Sequence, residues 1–113
     1  MADTFTPKEL GQARENSTNA VSVYSPAAST TGIVKQIVIC NQSGAAATFR
    51  LFLDVDGTTY DQTTALFYDV NIPANSSFDW NGHLAMDNAA GNLAYRSSVA
   101  NALTISVYGG EWT

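Results

Sequence analysis

Three aspartates in one short stretch, Asp54, Asp56 and Asp61 of DVDGTTYD, come nearest to chemistry by type and spacing. Alternating carboxylates ahead of a glycine suit calcium, which takes several oxygens from a tight turn. An EF-hand loop also needs a third ligand before its glycine and a distal glutamate, and neither is present. Asp56-Gly57 therefore reads as a hairpin turn that uses the positive φ glycine allows, and no metal is assigned. His83 is the single histidine, behind Asn81-Gly82 in what reads as a turn. Nucleophilic catalysis would need a Ser or Cys and a carboxylate arranged around it, and there is no Gly-x-Ser-x-Gly frame. No glycine-rich loop opens a helix to cradle phosphate, and no Cys/His set could hold zinc. The expectation is a protein that is not an enzyme and takes no cofactor and no small-molecule substrate.

The aromatic residues are the second candidate. Trp80 and Trp112, with Tyr24, Tyr60 and Tyr95, could form a platform on which sugars stack. Trp80 is in phase with Phe78, which assigns it to the core. Trp112 follows Gly109-Gly110, and an exposed tryptophan is costly unless covered. A neighbouring subunit or the chain's own sheet could cover it, and the sequence leaves both open. Phe5 is the one large apolar residue of the first eight, a docking residue for that segment.

Composition bounds the partners. The chain has 113 residues, room for one domain. Its charged fraction is 13%, against about 25% in typical soluble domains, and Ser, Thr, Asn and Gln carry the polarity instead. Such a surface suits a protein that lives against other protein. The formal net charge is −5, and the five basic residues, Lys8, Arg14, Lys35, Arg50 and Arg96, are scattered. Nucleic acid and anionic membranes are poor partners, since both need clustered Lys and Arg. Cys40 is the single cysteine, so no intramolecular disulfide is possible; it reads as a small buried hydrophobe. MADTFTPKEL has no apolar signal core, which leads to an expectation of synthesis in a cytoplasm. The sequons at Asn16, Asn41 and Asn75 then read as turn residues.

These residues must be positioned by strands. Apolar alternation and turn clusters recur roughly every 8–12 residues, the signature of a sandwich or barrel. Residues 1–8 read as an extended N-terminal arm and 9–113 as a single domain. Strands are predicted at 9–15, 20–24, 33–41, 47–55, 66–72, 77–80, 92–97 and 102–108, with Gly109-Gly110 kinking the chain away. The fold class is all-β: an antiparallel β-sandwich, Ig-like or jelly-roll-like, of about seven to eight strands. The strand from Ile33 is apolar on both faces and should be central. Period two puts Phe49, Leu51, Leu53 and Val55 on one side and Leu66, Tyr68, Val70 and Ile72 on the facing side of the next strand. With Leu51 opposite Tyr68, Phe52 falls opposite Phe67 on the outer face. That pair is either a self-contained aromatic contact or part of a subunit interface, together with Phe5 and Trp112.

The run Tyr24-Ser25-Pro26-Ala27, TTGIVKQIVICNQSGAAATFRLFLDVDG, VNIPANSSFDWNG and the ending NALTISVYGGEWT, with the preceding LGQA, resembles small virion proteins of tailed bacteriophages. The resemblance runs from about residue 10 to the end and rests on turns and strand patterns; the Asp54–Asp61 loop and the short N-terminal segment lie outside it. It implies a sandwich subunit that decorates or cements the head by bridging copies of the major capsid protein, often as a homotrimer, in a virion assembled in the bacterial cytoplasm. A tail or fibre component is the alternative within that class, and a carbohydrate-binding module the alternative outside it.

Overall fold

A computed structural model describes residues 4–113. They contain eight strands and no helix: β1 (Phe5–Arg14), β2 (Val21–Tyr24), β3 (Thr31–Asn41), β4 (Ala47–Asp54), β5 (Ala65–Ile72), β6 (Ser77–Met86), β7 (Asn92–Ser97) and β8 (Leu103–Trp112). Two antiparallel four-stranded sheets have the orders β1-β8-β3-β6 and β2-β7-β4-β5. The first half of the chain thus pairs with the second in reverse, β1 with β8, β2 with β7, β3 with β6 and β4 with β5. One long hairpin has rolled up into two layers, and β8 has joined β3 while β7 has joined β4. This is the jelly-roll solution of the sandwich.

The core lies between the layers. Ile37, Ile39, Ile105 and Val107 of the first sheet meet Phe49, Leu51, Leu93 and Tyr95 of the second, all fully buried. Each such aliphatic side chain contributes roughly 1.5–3 kcal/mol by leaving water. Two buried polar groups tie loops to this core. The Asn41 amide donates to the carbonyls of Ala45 and Ile72, both at 2.9 Å, and its oxygen accepts from the Ser43 N–H, fixing the β3–β4 turn. The Tyr95 hydroxyl accepts the Glu15 N–H at 2.8 Å and lies 3.3 Å from the carbonyls of Ala13 and Leu103, either of which can take its proton.

The first sheet is crossed by a row of irregularities. At the level of Tyr108, β1 carries Leu10 and β3 carries Lys35 as an extra residue, and β6 sets Gly82 and His83 against Lys35. An extra residue reverses the period-two phase. Without it Lys35 would follow Ile37 and Ile39 into the core; with it Val34 is buried and Lys35 is exposed. Gly109 makes this possible, because a Cβ there would lie on the Ile33 carbonyl.

Several expectations are corrected here. Phe5–Lys8 are not an arm: they are the first residues of β1, paired with Gly109–Trp112; Met1–Asp3 lie outside the described residues. Gly109-Gly110 does not kink away but continues β8, and Asn81-Gly82 supplies a bulge inside β6, which runs on to Met86. Val55 lies past the end of β4 and is exposed. The strand from Ile33 is central as expected, and its outer residues Val38 and Cys40 are half-buried.

Two substitutions probe this frame. Tyr95→Phe leaves the Glu15 N–H without its acceptor and is expected to cost about 1–3 kcal/mol in urea unfolding. Gly109→Ala forces β3 and β8 apart and is expected to cost about 1–3 kcal/mol, as overpacking does; an unchanged midpoint would contradict the contact.

Candidate functional site

Strand β4 places Arg50 and Phe52 on the outer face of the second sheet. Phe52 nevertheless is only 2% exposed. The β4–β5 loop folds back over it, setting the Tyr60 ring 6.1 Å from the Phe52 ring. The loop is held by its own acids. Asp54, buried, accepts the N–H groups of Asn92 at 2.8 Å and Thr59 at 3.1 Å. Asp56 accepts from the N–H groups of Thr58 and Thr59 and from the Thr59 hydroxyl at 2.6 Å. The Thr59 hydroxyl, before all else, holds the Asp56 carboxyl well below the usual carboxylate range. Asp61 accepts from the N–H and hydroxyl of Thr63, and the same hydroxyl holds its carboxyl low. The carboxylates that looked like cation ligands thus act as turn acceptors. Among the described residues no three His, Cys, Asp or Glu side chains gather as a metal would require.

Strand β5 carries a second phase reversal. Phe49 faces Val70 and Leu51 faces Phe67, so Tyr68 and Asp69 together oppose Arg50. Asp69 has φ +56°, the left-handed conformation Asp tolerates. Arg50 clamps the bulge: its Nε and Nη2 reach the Asp69 carboxylate at 2.7 and 3.2 Å, and its guanidinium lies 4.0 Å from the Tyr68 ring centroid. The clamp raises the pKa of Arg50 and lowers that of Asp69.

This bulge overturns the expected Phe52–Phe67 pair. Leu51, not Phe52, faces Phe67, and Phe52 faces Ala65. Phe67 turns inward, its ring 5.2 Å from Phe78 and 6.0 Å from Phe49, closing one side of the core. Leu66 and Tyr68, expected inside, are outside. Phe52 does lie on the outer face, but the chain's own loop covers it. Neither phenylalanine forms an outward patch.

Phe5 and Trp112 do come together. They are register partners at the end of the first sheet, with ring centroids 5.1 Å apart. Phe5 lies over Gly110, where a side chain would collide with it. Lys35 Nζ sits 5.7 Å from the Phe5 ring. With Ile33 and His83 these residues line a hollow of about 160 Å³ on the outer face. Trp112 is 44% exposed, so its own sheet covers it only in part. His83, expected in a turn, belongs instead to the β6 bulge beside this hollow and is exposed. Cys40 is a free, half-buried thiol.

The proposed sugar platform does not assemble. Tyr24 and Tyr95 are buried, Trp80 packs with Phe78 against the core, and Tyr60 and Trp112 lie on opposite sheets. Tyr24 instead donates its hydroxyl proton to Glu111 at 2.7 Å, while Lys8 Nζ reaches the other Glu111 oxygen at 3.0 Å. Burial, and then Glu111, push the Tyr24 hydroxyl up, and Tyr24, then Lys8, hold the Glu111 carboxyl down.

Compared with known protein families and with curated proteins, the chain matches none.

The Glu111 contacts set a pH dependence. A carboxyl whose pKa is depressed by folding stabilises the fold above its unfolded value, here about 4.5, and loses that contribution as pH falls through the folded value. The thermal midpoint is expected to fall on acidification below about pH 4.5. Glu111→Gln should lower the midpoint at neutral pH and flatten that acid limb; an acid limb as steep as the parent's would assign it elsewhere.

Proposed function

We propose that the chain is a structural subunit that works by adhesion, specifically a decoration or cement subunit on the head of a tailed bacteriophage. In this reading it assembles as a homotrimer and bridges neighbouring copies of the major capsid protein in the virion. It stabilises the occupied shell by mass action, because it binds the assembled state and not the dispersed one. The observation that carries the reading is the jelly-roll strand order, an architecture that recurs in viral capsid domains. This is an analogy of fold, and it is joined by the resemblance of the strand and turn segments to phage virion proteins.

The surface supports the same reading. The exposed Trp112 and the half-buried Phe5 sit together at the sheet end beside Lys35 and His83. An apolar centre with a polar rim is the composition of a protein contact. The 13% charged fraction keeps the desolvation cost of such a contact low.

Sedimentation velocity of the purified chain, followed by pelleting with capsid shells stripped of decoration, tests this. A trimer that pellets with shells is expected. Trp112→Glu should reduce shell binding by at least roughly tenfold, the loss expected of a central aromatic anchor, with the thermal midpoint little changed. A parent chain that stays monomeric and never pellets with shells would overturn the proposal.

A further inference from the structure

The loop that covers Phe52 also builds a second hollow, on the outer face of the second sheet. It is open, about 420 Å³, and lined by Arg50, Phe52, Tyr60, Asp61, Gln62 and Tyr68 among others. That volume falls within the roughly 300–1,000 Å³ of small-molecule sites. Tyr68 remains 41% exposed although Arg50 lies over its ring. The hollow thus combines two tyrosine rings with three planar polar groups: a guanidinium, a carboxylate and an amide.

Charge and polarity narrow the ligand. Arg50 is paired to Asp69 through two hydrogen bonds, so its charge is already balanced locally. Asp61 adds a negative charge at the rim. A phosphate, uronate or sialate would meet no net positive field. A purely apolar ligand would strip water from Asp61, Gln62 and Arg50 without replacing their hydrogen bonds, at a cost. A ligand with both an apolar face and several uncharged hydroxyls fits both constraints. Its C–H face can lie on a tyrosine ring while adjacent hydroxyls donate to the carboxylate and exchange hydrogen bonds with the amide.

Two of the polar groups, Asp61 and Arg50, are also held before any ligand arrives. Asp61 Oδ1 is fixed by Thr63, which leaves Oδ2 to accept. Arg50 spends Nε and Nη2 on Asp69, which leaves the Nη1 donors uncommitted among the described residues. Such preorganisation reduces the ordering cost of binding. We infer that the hollow between Tyr60 and Tyr68 is a binding site for a neutral saccharide, with Asp61, Gln62 and Arg50 as its hydrogen-bonding groups. It lies on the opposite sheet from Phe5 and Trp112 and does not depend on the adhesive role proposed above.

The test uses the full chain, fluorescently labelled, on an array of neutral and acidic glycans at low and high salt. Binding to neutral glycans that persists at high salt is expected. Gln62→Ala and Tyr68→Ala should each weaken it by roughly tenfold, about one good contact, with thermal midpoints near the parent's. Trp112→Glu should leave it intact, which separates this site from the adhesive one. A titration of the parent chain with the best neutral glycan, followed by amide NMR, should shift the Asp61–Thr63 signals whether or not the variants fold well. No bound glycan, binding confined to acidic glycans and lost in salt, or shifts away from the loop would each overturn the assignment.

Discussion

Strand β8 lies between β1 and β3, and each of those neighbours exceeds it by one residue at the level of Tyr108. The shape of the first sheet depends on that mismatch. An extra residue in each neighbour makes that neighbour bend at the bulge. The close approach is possible because position 109 has no side chain to separate it from the Ile33 carbonyl. The same mismatch decides which residues face water. It buries Val34, expels Lys35, and brings Ile33 beneath Phe5 and Trp112 on the outside. The Phe5–Trp112 pair at that end is therefore a by-product of backbone geometry that also protects the core from a lysine.

The strands were readable from alternation because most of them bury one face, and period two is visible wherever it runs unbroken. What alternation could not show is where it breaks. Asp69 looks like any outward aspartate, yet its left-handed backbone turns Phe67 inward and Tyr68 outward. Asn81-Gly82 and Gly109-Gly110 have turn composition but serve a bulge and a close strand contact, since glycine meets all three needs. The hollow between Tyr60 and Tyr68 was invisible for a different reason. Strand pairing sets Arg50 beside Tyr68, but Tyr60 joins them only through a loop that folds back onto its own sheet, a contact no local pattern encodes. A signal existed in the threonine-rich spacing around Asp56 and Asp61, which marks a loop too well hydrogen-bonded to be a simple hairpin tip.

The two candidate surfaces sit on the outer faces of opposite layers. A sandwich separates such faces by its full thickness, so one can be occupied while the other stays open. The sheet edges are poor places to attach anything. The outer strand β1 carries Pro7 and a bulge, β2 has four residues, β5 is broken at Asp69 and β6 at Gly82. These features discourage another chain from adding a strand.

The pairing of β1 with β8 has a mechanical consequence. Thr4 and Thr113 exchange backbone hydrogen bonds, so the described chain starts and stops at one spot, on antiparallel neighbours. A pull applied through these two points loads the ladder one rung at a time, as in opening a zipper, and never in shear.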